Sequence, residues 1–450
     1  MKDFKTALNQ AIEKQELRPY VYSYPSKRSY KKLQNVSLSS MWSPNQTGAI
    51  SLYLHIPFCH YRCTYCTLFL TTRHTEELIQ LYVDKICEQL RYYAPYVKQR
   101  TVRSIYFGGG TPTVLSPAQF DQIFFTLRSV FENIPSSTEI CIEGSPDTMS
   151  SELLDKFLEL GVNRISMGIQ TMNSAELKAS GRPYSIETTI TAVKNIKARF
   201  ENFNLDLIYG LSGQDSESWE HSLAFVVKEN PMTISLYPVV SRPLTAIEKQ
   251  KNVFPERYID DAVKMKIYDK NVAHLEANGY RQESFTRFTR LPEDASAYEQ
   301  ELLDFQGVPM IGIGAGARSN VGKYHYSFDY AVDLKKVGNA VDEFIGMVFS
   351  DSTMAQYGAV LDDKEDRLRY FLLSLTVNKL SEEIYRKKFN RSLWKDFPDV
   401  IDALATENCI KISTDGTLHL TGKGFKFSNL AAHLLFSDHI KSLEEGYIPQ

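Results

Sequence analysis

The sequence predicts an α/β protein whose core is a partial (β/α)6 barrel and whose C-terminal part is a winged-helix-like α+β domain. Two observations support this prediction. Between residue 49 and about residue 240, short apolar runs alternate with longer amphipathic segments, which is the pattern of a parallel sheet with helical crossovers. Near the C-terminus, a helix-like run, two strand-like runs around Asp415-Gly416 and a second helix-like run follow one another.

These patterns divide the chain into four predicted segments. Residues 1–48 form an N-terminal arm that begins with a helix candidate, Phe4–Gln15, and continues as an extended stretch rich in Tyr, which we expect to pack on a domain surface. Residues 49–245 form the barrel, 246–360 an extension and linker, and 361–450 the C-terminal domain. The linker contains one long helix candidate, Tyr258–Asn278.

The predicted barrel has six strands separated by five helices. The strand candidates are Ile50–Ile56, Ser104–Phe107, Glu139–Glu143, Arg164–Gly168, Asn204–Tyr209 and Thr233–Tyr237. The helix candidates between them are Glu76–Tyr93, Pro117–Phe131, Ser151–Leu160, Ile186–Phe200 and Ser216–Val227. In β/α barrels the chemistry lies at the C-terminal ends of the strands, and the unusual residues of this sequence fall at those ends.

The first strand candidate leads into a loop with three closely spaced cysteines, Cys59, Cys63 and Cys66. A CxxxCxxC spacing can ligate three irons of a [4Fe–4S] cube and leave the fourth iron open, whereas a closed cluster uses four cysteines. One alternative is a zinc site completed by His55 or His60, although structural zinc usually takes two pairs of ligands from separate elements. A second alternative is three unrelated buried cysteines.

Composition and charge exclude several classes of protein. The 450 residues are 43% hydrophobic and 23% charged, and the net charge of -3 gives no electrostatic footprint for nucleic acid or an anionic membrane. The sequence has no apolar run of membrane-spanning length and no N-terminal signal core, so we expect a cytoplasmic protein. Cys87, Cys141 and Cys409 are isolated, which argues against a disulfide framework.

Three further features mark strand ends. The first is GGGTP, which begins at Gly108 and whose glycines let the backbone approach a ligand closely. The sequence lacks the GK[ST] and GxGxxG patterns of phosphate-binding loops here, which argues against a phosphate site. Glu143 ends an apolar strand and needs a partner, either a ligand or a salt bridge to Arg164 or Arg182. Asp206 interrupts an apolar strand, which favours a ligand contact.

The strand YLHIPFC, the motif CxxxCxYC and GGGTP about 40 residues later together resemble the radical S-adenosylmethionine (SAM) superfamily. The resemblance is to the branch similar to oxygen-independent coproporphyrinogen III oxidase, and it covers residues 50 to about 245 closely. It implies a partial barrel and a [4Fe–4S] cluster on Cys59, Cys63 and Cys66. It also implies that SAM chelates the open iron and is cleaved to a 5′-deoxyadenosyl radical.

The same resemblance implies which residues bind two SAM molecules. Positions matching contacts of the first SAM are Tyr53, Tyr65, Gly109 and Glu143. Positions matching contacts of the second are Gly110, Thr111, Gln170, Arg182, Asp206 and Val240. Two SAM molecules would support two successive hydrogen abstractions, or one abstraction together with transfer of a methyl or methylene carbon.

One position departs from the oxidase pattern. The oxidase carries a further cysteine two residues beyond the third cluster ligand, and this position is Leu68 here. The motifs YSYPSKRSY, GRPYS, LIYGLSGQ, SLYPVVSRPLT and GIGAGARS resemble a subgroup near the class C methyltransferases and cyclopropane-forming enzymes. We therefore expect methyl or methylene transfer to an unactivated carbon of a small organic substrate, with a flavodoxin- or ferredoxin-type reductant and no nucleic-acid or membrane partner.

Three alternatives stay open from the sequence. The first is oxidative decarboxylation like that of coproporphyrinogen III oxidase. The second is a haem-binding chaperone, for which His419 or His433 could be an axial ligand. The third is a winged-helix regulator that senses through its cluster, which the balanced charge of the C-terminal domain disfavours.

Overall fold

The computed structural model describes residues 4–43, 46–240, 245–293, 295–329 and 333–446. Residues 241–244 of the motif SLYPVVSRPLT thus lie outside the described residues. The chain forms two compact units: a barrel unit of residues 27–258 and 298–360, and a tail unit of residues 1–26, 259–297 and 361–446. The tail unit therefore takes pieces from the predicted arm, the linker and the C-terminal domain.

The strands follow the prediction closely within the barrel, where each observed strand contains the predicted one. The strands of the described residues, in chain order, are β1 (Lys31–Lys32), β2 (Ala49–Ile56), β3 (Thr101–Gly109), β4 (Glu139–Gly144), β5 (Arg164–Gln170), β6 (Phe203–Tyr209), β7 (Thr233–Pro238), β8 (Arg281–Gln282), β9 (Arg287–Thr289), β10 (Met310–Ile313), β11 (Arg318–Val321), β12 (Tyr324–Ser327), β13 (Tyr357–Val360), β14 (Leu380–Ser381), β15 (Ile410–Ile412) and β16 (Thr417–Leu420).

The helices alternate with β2 to β7 and then dominate the tail unit. The helices of the described residues are α1 (Phe4–Glu13), α2 (Leu38–Met41), α3 (Glu76–Val97), α4 (Pro117–Val130), α5 (Ser151–Leu160), α6 (Ser174–Ala179), α7 (Ile186–Lys197), α8 (Ser216–Glu229), α9 (Ala246–Val253), α10 (Asp261–Ala277), α11 (Glu299–Phe305), α12 (Leu334–Gly346), α13 (Asp363–Thr376), α14 (Glu382–Phe389), α15 (Leu393–Asp396), α16 (Pro398–Thr406), α17 (Gly422–Leu435) and α18 (Asp438–Glu445). Each of these helices is too short or too polar to cross a lipid bilayer.

Local sequence explains where the main crossover helices begin. Thr75, Ser116, Ser150, Ser185 and Asp215 each precede a helix, and each side-chain oxygen accepts a hydrogen bond from a backbone N–H of the first turn. This satisfies donors that have no partner inside the helix. The five predicted helices of the barrel thus start at capped positions.

The barrel sheet confirms the predicted α/β class and extends beyond it. Strands β2 to β7 are neighbours in chain order and all pair in parallel. A further parallel strand, β10, pairs with β2, and β11, β12, β13 and β1 continue the sheet in antiparallel pairs. These additional strands are only two to four residues long, so their sequences carry little periodic signal.

The loop after β2 reaches the strands on the other side of the parallel sheet. Tyr65 in this loop packs against a cluster formed by Ile208 of β6, Leu211, Val239 just beyond β7, and Ile247. The cysteine loop therefore extends from the end of β2 to the ends of β6 and β7.

The tail unit contains the predicted winged-helix-like arrangement. Strands β14, β16 and β15 form a three-stranded antiparallel sheet in that order, and the pair β15 and β16 encloses the predicted turn at Asp415-Gly416. Helix α16 precedes this pair and α17 follows it. Within the same unit, α1 packs against α16 and α17.

Trp42 fixes the end of the arm to the barrel unit. Its side chain is fully buried, and its Nε1–H donates a hydrogen bond of 2.8 Å to the hydroxyl of Tyr326. The Tyr326 hydroxyl lies 3.0 Å from that of Tyr93, and the Arg100 guanidinium lies 5.2 Å from the Trp42 ring centroid. Aromatic burial and a satisfied indole N–H are thus combined at one position.

We expect Trp42→Ala to lower the free energy of unfolding by about 3–5 kcal/mol, because a large buried side chain is replaced by a cavity. Chemical denaturation followed by circular dichroism measures this change. Trp394→Ala is the control, because Trp394 is only half-buried in the tail unit. Equal losses in the two variants would contradict a special role for Trp42.

Candidate functional site

The backbone around the three cysteines is closed by hydrogen bonds at both its base and its centre. At the base, Cys59 N donates to Thr71 O over 3.0 Å, and Thr71 N donates to Pro57 O over 2.7 Å. At the centre, Thr64 N donates to Ser180 O over 3.1 Å, and its own carbonyl accepts from Ile247 N over 3.0 Å. The loop is therefore held in one shape by the protein itself.

The three thiols form one electrostatic group. Burial raises the pKa of Cys59 to about 12 and that of Cys66 to about 11, and mutual repulsion with Cys63 adds to both shifts. The Cys59 Sγ lies 3.3 Å from the Thr111 Oγ1. Thiolates in such a place need a neighbouring cation, and iron bound by soft sulfur ligands supplies one. The donor set therefore fits an iron–sulfur cluster.

The zinc alternative gains no support from the geometry. The Nε2 of His55 is hydrogen-bonded to the Phe69 carbonyl oxygen at 2.8 Å, its Nδ1 lies 3.2 Å from the Tyr53 hydroxyl, and burial lowers its pKa to about 3. His60 Nδ1 lies 3.4 Å from a carboxylate oxygen of Asp147 instead. Within the described ranges, no three His, Cys, Asp or Glu side chains are arranged around a single ion.

The glycines of GGGTP allow β3 to lie against the cysteine loop. Gly110 N donates to Ile56 O and Thr111 N donates to Phe58 O, each over 2.8 Å. A Cβ on Gly110 would lie 2.6 Å from the Phe58 carbonyl oxygen, and one on Gly109, which has φ +111°, would lie 2.5 Å from the His55 ring. Backbone packing thus requires these two glycines, a reason that the sequence alone did not give.

Glu143 is held by a tyrosine rather than by a salt bridge. The Tyr106 hydroxyl donates a hydrogen bond of 2.6 Å to Glu143 Oε1, and the backbone N–H of Gly109 also stabilises the carboxylate. Burial raises the pKa of Glu143 to about 7, the hydrogen bond from Tyr106 opposes that rise, and the charge of Asp206 adds to it. Arg164 acts on Glu143 only through its charge.

Tyr106 is a residue of the candidate site that the sequence analysis did not single out. Its ring is stacked on Tyr53 with centroids 6.1 Å apart, and the ring centroid of Tyr298 lies 4.8 Å away. Tyr53 and Tyr106 are paired in register on β2 and β3. Side chains alternate between the two faces of a strand, so the sequence already placed Tyr106 on the same face as Gly108 of the GGGTP motif. This signal was hidden because the run SIYFGG resembles a strand buried on both faces.

Asp206 lies in a polar network inside the sheet. Asn204 Nδ2 donates to Asp206 Oδ1 over 2.7 Å and to Ser166 Oγ over 2.9 Å, and Ser235 also bonds the carboxylate. Burial raises the pKa of Asp206, while these hydrogen bonds and nearby guanidinium charge oppose the rise. The carboxylate is thus positioned by neighbours before any ligand binds.

Arg182 connects the cysteine loop to the end of β5. Its Nε donates to the Tyr65 hydroxyl over 3.0 Å, and its Nη1 donates to the Gly168 carbonyl over 2.9 Å and also to the Tyr184 hydroxyl. Gln170, at a break in the β5–β6 register, has φ +69°. Left-handed backbone in a non-glycine residue costs energy and often marks a functional site.

The structure therefore brings most predicted site residues into local groups. Tyr65 contacts Arg182, Thr111 contacts Cys59, and Gly109 contacts Glu143. Val240 is half-buried and directly follows Val239, which belongs to the cluster that Tyr65 packs against.

Comparisons with known proteins agree with this geometry. Residues 53–226 match the model of the radical SAM superfamily. A heme chaperone HemW of Buchnera aphidicola subsp. Schizaphis graminum is 30% identical over 272 residues, which are 60% of this chain and 70% of that protein. The oxygen-independent coproporphyrinogen III oxidase of Salmonella typhimurium is 26% identical over 83% of this chain and 82% of its own.

Among solved structures, coproporphyrinogen III oxidase (HemN) from Escherichia coli has the same fold, with a TM-score of 0.76, 24% identity, and coverage of 95% of this chain and 98% of that one. A parallel sheet of strands β2 to β7 with a three-cysteine loop after β2 thus defines a radical SAM protein. The chain belongs to that superfamily, in the branch of oxygen-independent coproporphyrinogen III oxidase and HemW. Membership implies a [4Fe–4S] cluster and SAM.

We expect the variant with Cys59, Cys63 and Cys66 all changed to Ala to lose the cluster, because no other thiol lies in the loop. After anaerobic reconstitution, the unchanged protein should hold about four irons and four sulfides per chain. Iron and sulfide assays measure this, with the triple variant Cys87, Cys141 and Cys409 to Ala as the control. Full iron content in the first variant, or one zinc in the unchanged protein, would contradict the assignment.

We expect Tyr106→Phe to move the pH dependence of SAM binding upward. The family resemblance implies that Glu143 contacts cationic SAM, which favours the ionised carboxylate, so we expect the affinity for SAM to rise as the pH rises through the pKa near 7. Loss of the hydrogen bond to the charged carboxylate raises that pKa by roughly one to two units. Equilibrium dialysis of the reconstituted protein between pH 6 and 9 measures the midpoint. Tyr96→Phe is the control, because half-buried Tyr96 on α3 donates its hydrogen bond to Asp351 and not to Glu143. An unshifted midpoint in Tyr106→Phe would exclude a role for Tyr106.

Proposed function

We propose that this protein is a radical SAM enzyme that abstracts hydrogen from a tetrapyrrole in an oxidative reaction. The observation that carries the proposal is that the cysteine loop follows β2, that the Tyr106–Glu143 pair lies on the neighbouring strands β3 and β4, and that Asp206 within β6 is close enough to act on Glu143 through its charge. When bound, the cluster and SAM supply a carbon-centred radical. The residues of the chain bind SAM, orient it and keep charged groups fixed around it.

Each group has a distinct part in the proposal. Glu143, with Tyr106 as hydrogen-bond donor, would bind a positively charged part of the first SAM, because a buried carboxylate gains from a cationic partner. Arg182, Gln170 and Asp206 would hold a second SAM. The Asn204 hydrogen bond fixes the Asp206 carboxylate, so little ordering is needed when a ligand binds.

The tetrapyrrole class of substrate comes from the relatives. Those described above are named for coproporphyrinogen or for heme, and a further relative, an Escherichia coli O157:H7 protein 30% identical over 64% of this chain, is named anaerobilin synthase. Leu68 separates this chain from the oxidase pattern. The Leu68 side chain is 49% exposed, so core packing does not explain why leucine replaces the cysteine of the oxidase at this position. Because the chain differs from the oxidase here, its substrate need not be coproporphyrinogen III itself.

Carbon transfer to an unactivated carbon, which the sequence motifs favoured, receives no support from the relatives' names. The haem chaperone is the second candidate, and the 30% identical relative favours it. The two histidines suggested as axial ligands differ in availability. His433 Nε2 is hydrogen-bonded to the Pro19 carbonyl oxygen over 3.0 Å, whereas His419 lies on β16.

We expect the reduced, reconstituted protein to convert SAM to 5′-deoxyadenosine when coproporphyrinogen III or haem is added. Glu143→Gln should lower this turnover by roughly ten- to a hundredfold, since a hydrogen bond or contact to a charged group contributes about 1.5–3 kcal/mol. Glu152→Gln, on the exposed face of α5, is the control. Chromatography of 5′-deoxyadenosine and mass spectrometry of the tetrapyrrole measure the outcome.

Other results would redirect the proposal. A stable Soret band on adding haem, with no 5′-deoxyadenosine, would favour the chaperone. S-adenosylhomocysteine formed in step with product would contradict purely oxidative chemistry and restore carbon transfer.

A further inference from the structure

Lys27 begins the barrel unit and is fixed there by strand pairing. It opens the 3-10 turn Lys27–Ser29, and the two residues of β1 that follow pair with β13. Leu33 N then donates to Gln356 O over 2.8 Å. The backbone at Lys27 therefore belongs to a hydrogen-bonded part of the barrel unit, which fixes the position from which its side chain extends.

The ammonium group of Lys27 lies at the same end of the sheet as the cysteine loop. Its Nζ donates a hydrogen bond to the carbonyl of Gly316, in the turn that follows β10. Ile313, the last residue of β10, pairs in parallel with Leu54 of β2. The turn after β10 therefore lies beside the segment that leads from β2 into Cys59.

The contacts of Gly316 place Lys27 close to the interior of the site. A Cβ on Gly316 would lie 2.5 Å from the ring of Phe69, so the turn after β10 packs directly against Phe69. The Phe69 carbonyl is the hydrogen-bond partner of His55, whose ring packs beside Gly109. The charge of Lys27 also contributes to the low pKa of His55.

The charges around Lys27 favour an anion. Burial lowers the pKa of Lys27 to about 7, and the positive charge of Arg318 lowers it as well. Arg318 lies two residues beyond Gly316, and its Nη2 is 2.5 Å from Asp304 Oδ2. The charge of Arg318 is therefore already paired, and it is the buried ammonium of Lys27 that a bound carboxylate would stabilise further.

We propose that Lys27 binds a carboxylate of the ligand in the active site. The inference rests on the proposed function, and it extends the site to the segment before β1, which the sequence analysis expected only to pack. Two ligands carry the required group: SAM has one carboxylate, and a tetrapyrrole such as coproporphyrin has several. The ammonium supplies charge-assisted hydrogen bonds to either one.

The test compares each ligand with a form that lacks its carboxylate. The variants are Lys27→Met, which keeps the length of the side chain without its charge, and Arg28→Met as the control, because Arg28 is exposed in the same turn. Affinities of the reconstituted protein are measured for SAM and decarboxylated SAM by anaerobic equilibrium dialysis. Fluorescence gives the affinities for coproporphyrin III and its tetramethyl ester.

We expect Lys27→Met to weaken one carboxylate ligand by roughly ten- to a hundredfold while its decarboxylated or esterified form changes less than threefold. A selective loss with SAM assigns the contact to SAM, and a selective loss with coproporphyrin III assigns it to the substrate. If both ligands bind the unchanged protein and Lys27→Met behaves like Arg28→Met, Lys27 does not bind a carboxylate. If neither ligand binds the unchanged protein, the proposed function fails first, and the role of Lys27 fails with it.

Discussion

The close backbone contact between the ends of β2 and β3 is the constraint on which the site depends. Gly110 and Thr111 donate hydrogen bonds to Ile56 and Phe58, so the GGGTP turn and the cysteine loop are one structural piece. That contact requires residues without a Cβ, and it brings Gly109 N–H to Glu143 and Thr111 to Cys59. A side chain at Gly110 would move both cluster loop and carboxylate at once.

The site also depends on how buried charges are distributed. The charge of Asp206 makes Glu143 harder to ionise, and each carboxylate accepts a hydrogen bond from a neutral donor, Tyr106 for Glu143 and Asn204 for Asp206. Neutral donors hold a carboxylate in place without cancelling its charge, whereas a salt bridge would leave little attraction for a cationic ligand. The barrel therefore holds two buried carboxylates with neutral donors, and Lys27 adds a buried ammonium at the end of the sheet where the cysteine loop lies.

The sequence predicted the strands and helices of the barrel because regular alternation and helix caps are local signals. It also predicted the cysteine loop and singled out Glu143 and Asp206, because cysteines and carboxylates within or next to apolar strands can be recognised from the sequence alone. The sequence did not single out Tyr106, because a tyrosine in an apolar strand is usually a core residue. Its hydrogen bond to Glu143 becomes visible only in the folded structure. Lys27 escaped because its neighbours, Gly316 and Arg318, are almost 300 residues away in the chain.

The tail unit has a consequence for how the protein is made. Helix α1 buries Phe4, Leu8, Ala11 and Ile12, and its packing partners α16 and α17 belong to the last 90 residues of the printed sequence. During synthesis at about 5–20 residues per second, this apolar helix leaves the ribosome roughly 20 to 80 seconds before its partners exist. For that interval the apolar face of α1 is not covered by α16 and α17, so the nascent chain exposes an amphipathic segment of the kind that chaperones bind during synthesis.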